Sequence, residues 1–211
     1  MEDIQYFTKF PVEQLVFNHR LPKKIARVAQ YLNSENDELE ERCTEEGTEK
    51  PKILGFPSVT AQYDAIISLI RSKNMEDVGI LFRHNADVQT AYDYFKSKGL
   101  NVEAKFGKQM DLDFTSDNPK MMTYHSSKGL QFEYVFLPNC IVEGNDDRNP
   151  LYVAITRSYR GLYIITQVIC QAFLMMFRSI CMTQHYQVVL NLSYKFDFNE
   201  ALYSNLYIKL Q

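Results

Sequence analysis

Short apolar runs recur along the middle of this chain, separated by segments whose apolar residues fall at helical intervals. Lys52-Ile53-Leu54-Gly55-Phe56 and Val78-Gly79-Ile80-Leu81-Phe82 have the length and apolar density of buried strands. Asn101 to Phe106, Met121 to His125, Tyr134 to Pro138 and Gly161 to Thr166 continue the series. A helix is predicted over Leu21 to Leu32, with Pro22 early, where its missing N–H does least harm. A second runs from a Ser58 cap to about Ser72, and a third from Asn85 to Lys98, where Gly99 stops it. Strand, helix, strand, helix at this spacing is the signature of an α/β fold, a parallel sheet with crossover helices. The segment from Gln167 to Gln211 breaks the rhythm, mixing apolar runs with Tyr194, Phe196, Phe198, Tyr203 and Tyr207, and no internal repeat is visible.

At 211 residues, with 45% apolar and 13% aromatic side chains, the chain can bury a core and hold one good-sized domain, or a domain with an appendage. Its net charge of −3 is local in origin: Glu35 to Glu49 holds eight acids against Arg42 alone, and the remainder, with 22 basic and 18 acidic side chains, is +4. That balance permits a nucleic-acid partner without requiring one. Dense like charge repels itself, so the acidic run reads as a solvated linker or a charged helix face. The chain divides into an opening segment with the first helix (1–34), the acidic linker (35–51), the α/β core (52–166) and an extension without an assigned role (167–211).

Cys43, Cys140, Cys170 and Cys181 are too few and too widely spaced for a disulfide scaffold and form no Cys-x-x-Cys pair, so they read as reduced thiols. Met1 to Gln5 lacks the basic flank and apolar core of a secretory signal. No window reaches the apolar length of a bilayer span, although Val168 to Met176 is locally greasy. The expectation is a cytoplasmic protein with no membrane partner.

The densest chemistry lies in Met122-Thr123-Tyr124-His125-Ser126-Ser127-Lys128-Gly129-Leu130-Gln131-Phe132. As a strand its first part would deliver Thr123 and His125 to one side. Ser126 to Gly129 would then supply hydroxyls, a cation and exposed backbone N–H groups, which suit anionic oxygens. Arg157 follows inside Asn149-Pro150-Leu151-Tyr152-Val153-Ala154-Ile155-Thr156-Arg157, which reads as a helix carrying a guanidinium. In parallel sheets ligands gather outside the carboxyl ends of strands, where Arg83, His125 and the 126–129 loop are expected. Bland readings stand beside these: Arg157 as a surface cation, Asn18-His19-Arg20 as a capping turn, His125 as a core histidine, and His84, Tyr124 and Tyr152 as packing residues.

Four blocks in order resemble the second motor domain of UvrD/Rep-like superfamily 1 DNA helicases, whose fold is RecA-like, over about residues 15–166. They are Leu15-Val16-Phe17-Asn18-His19-Arg20-Leu21-Pro22, Gly79-Ile80-Leu81-Phe82-Arg83-His84-Asn85, Thr123 through Phe132, and Tyr152-Val153-Ala154-Ile155-Thr156-Arg157. The resemblance implies that Arg20 and Arg157 clamp the terminal phosphate of ATP, as planar and permanently charged forks that offset charge on phosphoryl oxygens. It places His19 at an adenine-stacking position usually held by a larger aromatic residue. Gln131 falls where glutamate is common near the ribose, keeping an acceptor without the charge. Arg83, Thr123, His125 and Lys128 would line a single-stranded DNA path, with affinity that is independent of sequence and falls with salt. Between Phe106 and Met121 the larger helicases insert an accessory domain, and here about fourteen residues suffice.

None of the eight glycines begins a Gly-x-x-x-x-Gly-Lys-Ser/Thr phosphate loop, and no apolar strand ends in an Asp-Glu pair that would hold magnesium. The resemblance assigns those parts to a first motor domain, so ATP with Mg2+ is expected to be held mainly by a separate phosphate-loop partner. The chain by itself is then expected to turn over no ATP. Two readings stay open: one half of an ATP-driven DNA translocase, or a non-catalytic helicase-derived module that binds single strands or a protein partner. A self-contained α/β nucleotide enzyme such as a kinase conflicts with the missing phosphate loop.

Overall fold

A computed structural model describes residues 17–32, 38–141, 144–167 and 187–190. In chain order its elements are α1 (Lys23–Gln30), α2 (Leu39–Arg42), β1 (Lys52–Phe56), α3 (Val59–Lys73), β2 (Val78–Phe82), α4 (Asn85–Ser97), β3 (Glu103–Phe106), β4 (Gln109–Asp111), β5 (Lys120–Thr123) and β6 (Phe132–Leu137). A 3-10 turn (Asn145–Asp147), α5 (Arg148–Ile155), β7 (Ser158–Gln167) and β8 (Gln187–Leu190) complete them. The strands form one sheet in the order β4-β3-β5-β2-β6-β7-β1-β8, parallel throughout except for β4, which pairs antiparallel with β3 at one edge.

The apolar runs are nearly continuous because both faces of the sheet are covered. Ile53, Leu81, Met122, Val135, Leu137, Leu162 and Ile164 face one core with α1, α2 and α5. Leu54, Ile80, Phe82, Met121, Phe136, Tyr163 and Ile165 face a second core with α3 and α4. Gly79, in the central strand β2, has a packing reason: a Cβ there would lie 2.5 Å from the Phe132 ring.

Local chemistry sets the helix ends. The Ser58 hydroxyl accepts from Ala61 N–H at 3.1 Å and caps α3, and Gly99, at φ +69°, lets the chain turn away after α4. Helix α1 has no side-chain cap. Its Lys23 and Lys24 N–H groups donate instead to the carbonyls of Glu45 and Glu46, at 2.7 and 3.3 Å.

That contact shows what the described part of the acidic run does. Residues 38–51 lie against α1: Leu39 and Cys43 are buried, the Arg27 Nε donates to Glu40 at 2.8 Å, and Asn18 exchanges backbone hydrogen bonds with Arg42 and Thr44. The side chains of Glu38, Glu41, Glu45 and Glu46 remain exposed, so like charge is solvated while the backbone is tied down.

Two strands were not foreseen. β4 follows a two-residue turn whose first position, Gly107, has φ +56°, which suits hairpin twist. β8 pairs parallel with β1 outside it; Tyr194 and the aromatics beyond, like the Val168–Met176 run, fall outside the described residues. After β4 the chain returns to β5 through a loop held by Glu103, whose carboxylate accepts from Ser116, the Asp113 N–H, Asn118 at 3.2 Å and Lys120 at 3.2 Å. Among the described residues no helix is long and apolar enough to cross a membrane.

Candidate functional site

β6 begins at Phe132 and β7 at Ser158, so Gln131 and Arg157 stand side by side at the amino ends of neighbouring strands, and Phe132 N–H donates to the Arg157 carbonyl at 2.9 Å. Arg157 sits just beyond α5 rather than within it, because the helix closes at Ile155 with Thr156 as its cap. Its guanidinium folds back on that last turn, donating from Nε to the Val153 carbonyl at 2.9 Å and from Nη2 to the Thr156 hydroxyl at 3.0 Å. Nη1 reaches the Leu130 carbonyl at 3.3 Å.

Arg20 arrives from the other side. The Asn18 carboxamide accepts from the backbone N–H groups of Arg20 and Leu21 at 2.9 and 3.1 Å, so the Asn-His-Arg turn caps itself and also aims a cation. Arg20 Nη2 donates to the same Leu130 carbonyl, at 3.2 Å. His19 is exposed beside it, its Nδ1 3.1 Å from the Thr44 hydroxyl. Gln131 is half-buried, and its buried amide nitrogen finds no hydrogen-bond partner among the described residues. Burial, and behind it the Arg20 charge, hold the Arg157 guanidinium below its ordinary value. Two repelling cations thus meet at the Leu130 carbonyl, next in sequence to Gln131, a pairing of donors that fits an oxygen-rich anion.

Arg83, Thr123 and His125 lie at the opposite, carboxyl end of the sheet, where β2 and β5 stop. Because β5 ends at Thr123, the strand alternation expected to align Thr123 with His125 does not extend that far. Residues 124–129 form a compact turn instead. The Ser126 N–H donates to the Thr123 hydroxyl at 3.2 Å, the Ser127 N–H to the Thr123 carbonyl at 3.1 Å, and the Lys128 N–H to the His125 carbonyl at 3.3 Å. Those amides are engaged inside the turn, so the expected cradle of exposed N–H groups is not formed by them. A crossover this short satisfies its own backbone as it spans the sheet. The Thr123 hydroxyl itself donates to Ser126 at 3.1 Å, whereas the side chains of His125 and Lys128 are exposed. Tyr124 packs in the core with its N–H on the Phe82 carbonyl at 2.7 Å; His84 is exposed, and Tyr152 packs partly buried against the core.

Sequence reading missed two participants. The Leu130 carbonyl is a backbone acceptor with no side-chain signature. Asp147, 7% exposed, pairs with Arg83 at 2.5 Å. The Asp146-Asp147 pair ahead of a helix was the available signal for it. Among the described residues no cluster of His, Cys, Asp and Glu could hold a metal ion.

No curated protein matches the sequence. Residues 121–165 match the model of the UvrD-like helicase C-terminal domain. Among solved structures, the C-terminal domain of a possible DNA helicase from Lactobacillus plantarum WCFS1 is similar at 14% identity and TM-score 0.54, over 71% of this chain and 88% of that one. An arterivirus nonstructural protein 10 helicase in complex with DNA aligns at 12% identity and TM-score 0.43, over 66% of this chain and 35% of that one. The UvsW helicase of bacteriophage T4 aligns at 10% identity and TM-score 0.45, over 66% and 54%. The segment that matches the UvrD-like helicase C-terminal domain holds nearly all of β5, the 124–131 crossover, β6, α5, Arg157 and most of β7, and the fold of the chain is the RecA-like fold of helicase C-terminal domains.

Proposed function

We propose that this chain is the second motor domain of an ATP-dependent DNA helicase or translocase, with Arg20 and Arg157 acting on the terminal phosphate of ATP held, with Mg2+, mainly by a separate phosphate-loop domain. The observation that carries this reading is the meeting of both guanidiniums at the Leu130 carbonyl. A neutral carbonyl is a weak acceptor for two like charges, and a phosphoryl oxygen satisfies both better. ATP would supply the transferable phosphoryl group. The chain's own residues would orient it: His19 by stacking on the base, Gln131 by its unpartnered amide, and the two arginines by offsetting charge.

Arg83, His125 and Lys128 then face a single strand at the carboxyl ends, and Thr123 contributes by shaping the turn that presents them. Residues 124–131 run from that end to the carbonyl between the arginines, so one short crossover joins the strand-facing and nucleotide-facing ends. The test is DNA-stimulated ATP hydrolysis by a protein in which this domain is joined to a phosphate-loop motor domain. Arg157→Ala is expected to lower kcat by about a thousandfold while leaving oligonucleotide affinity within twofold. Normal turnover by that variant would refute the assignment.

A further inference from the structure

We propose that Asp147 is a positioning residue that competes with nucleic-acid phosphate for Arg83, and that α5 carries the exchange to Arg157. The inference rests on the reading of Arg83 as strand-facing. Its geometric basis is independent of that reading.

Asp147 is the last residue before α5, and its side chain is 8% exposed against 39% for Arg83. One carboxylate oxygen holds Arg83 at 2.5 Å, and the other accepts the Gly144 N–H at 3.3 Å. The pair borders a recess walled by Tyr124, Cys140, Pro150 and Leu151. Arg83 is therefore anchored on its inner side and open to solvent on its outer side. A phosphate binding there weakens the ion pair with Asp147, and loss of that pairing at a buried carboxylate favours a shift of Asp147. Asp147 leads directly into α5, eight residues and about 12 Å long. At the far end Arg157 is fixed to the last turn by the Val153, Ala154 and Thr156 bonds. So short a helix moves as one piece, and a shift at Asp147 reaches the guanidinium beside Leu130.

The test uses a fluorescein-labelled oligothymidylate and this chain as wild type, Asp147→Asn, Asp146→Asn, Arg83→Ala and the Arg83→Ala/Asp147→Asn double variant, at one ionic strength. Asp146 is exposed, so its variant controls for the loss of one negative charge. Anisotropy is expected to show Asp147→Asn binding at least fivefold tighter, Asp146→Asn within twofold of wild type, and the double variant no tighter than Arg83→Ala. Hydrogen exchange of amides 151–157 is expected to change when wild type binds the oligomer, and to be changed already in free Asp147→Asn. Asp147→Ser serves the same comparisons if the asparagine variant does not fold. Equal gains in the Asp146 and Asp147 variants, a gain that survives loss of Arg83, or binding without altered exchange at 151–157 would each overturn the proposal while leaving the motor-domain reading intact. A wild-type chain that binds no oligomer overturns both.

Discussion

Arg20 and Arg157 donate to one carbonyl oxygen, that of Leu130, at 3.2 and 3.3 Å, from sites far apart in sequence. Their dependence on the fold differs. Arg20 is exposed and, among the described residues, its side chain makes this one hydrogen bond, whereas Arg157 is half-buried and also bonds Val153 and Thr156. Urea unfolding of Arg20→Ala is expected to give the wild-type midpoint within error. Arg157→Ala is expected to lose about 1–3 kcal/mol, as buried bonds and packing at the end of α5 go. Equal losses from both variants would show that Arg20 is there for the fold and not for a ligand.

Acid sensitivity should concentrate at Glu103. Burial opposes ionisation there, but the bonds from Ser116, the Asp113 N–H, Asn118 and Lys120 outweigh it and hold the carboxyl below its ordinary value. A carboxyl depressed in the folded state stabilises fully above its unfolded pKa of about 4.3, and that contribution is lost as pH falls through the folded value. Wild type is therefore expected to exceed Glu103→Gln in stability at pH 7, with the gap closing below about pH 4. Urea midpoints measured from pH 7 to pH 3 read this out, and a gap that widened on acidification would contradict the stated balance.

Gly79→Ala places a methyl group 2.5 Å from the Phe132 ring in the middle of the sheet. The expected destabilisation is about 1–3 kcal/mol, as for other overpacked cores. Phe132→Leu introduced with it should recover part of that loss, because the ring is the obstacle. A double variant as unstable as the sum of the two single ones would place the clash elsewhere.

Cys43 and Cys140 are buried, and burial pushes the Cys140 thiol up to about 12, with the Asp147 carboxylate adding to it. Thiolate is the reactive form, so both side chains are expected to resist iodoacetamide at pH 8 in the folded protein and to react once urea is added. Peptide mass mapping after a short alkylation pulse distinguishes them from the other cysteines. Modification of Cys140 in the native protein at the rate of a free thiol would contradict its enclosure.

The parallel strands were legible in the sequence because two covered faces demand unbroken apolar runs, and Ser58 and Gly99 marked helix ends by chemistry that acts within a few residues. β4 was not legible: its turn depends on Gly107, and its pairing on a neighbouring strand that lends no apolar signal. The side-by-side placement expected of Thr123 and His125 failed because alternation holds only while a strand continues, and β5 stops at Thr123. The arginines could be picked out as residues, whereas their common acceptor is a main-chain oxygen that every residue possesses. Asp147 carried a local signal, an acid pair ahead of a helix, but its pairing with Arg83 is set by folding.

The bridging of Asn18 to residues 42–44 gives the meeting of the two arginines at Leu130 unequal jaws. Arg157 is rooted in a helix and a central strand, but Arg20 hangs from a clasp whose other half is the acidic strap over α1. Anything that peels the strap from α1 would swing Arg20 away from Leu130 while leaving Arg157 at its post, so one of the two cations can be withdrawn without disturbing the sheet.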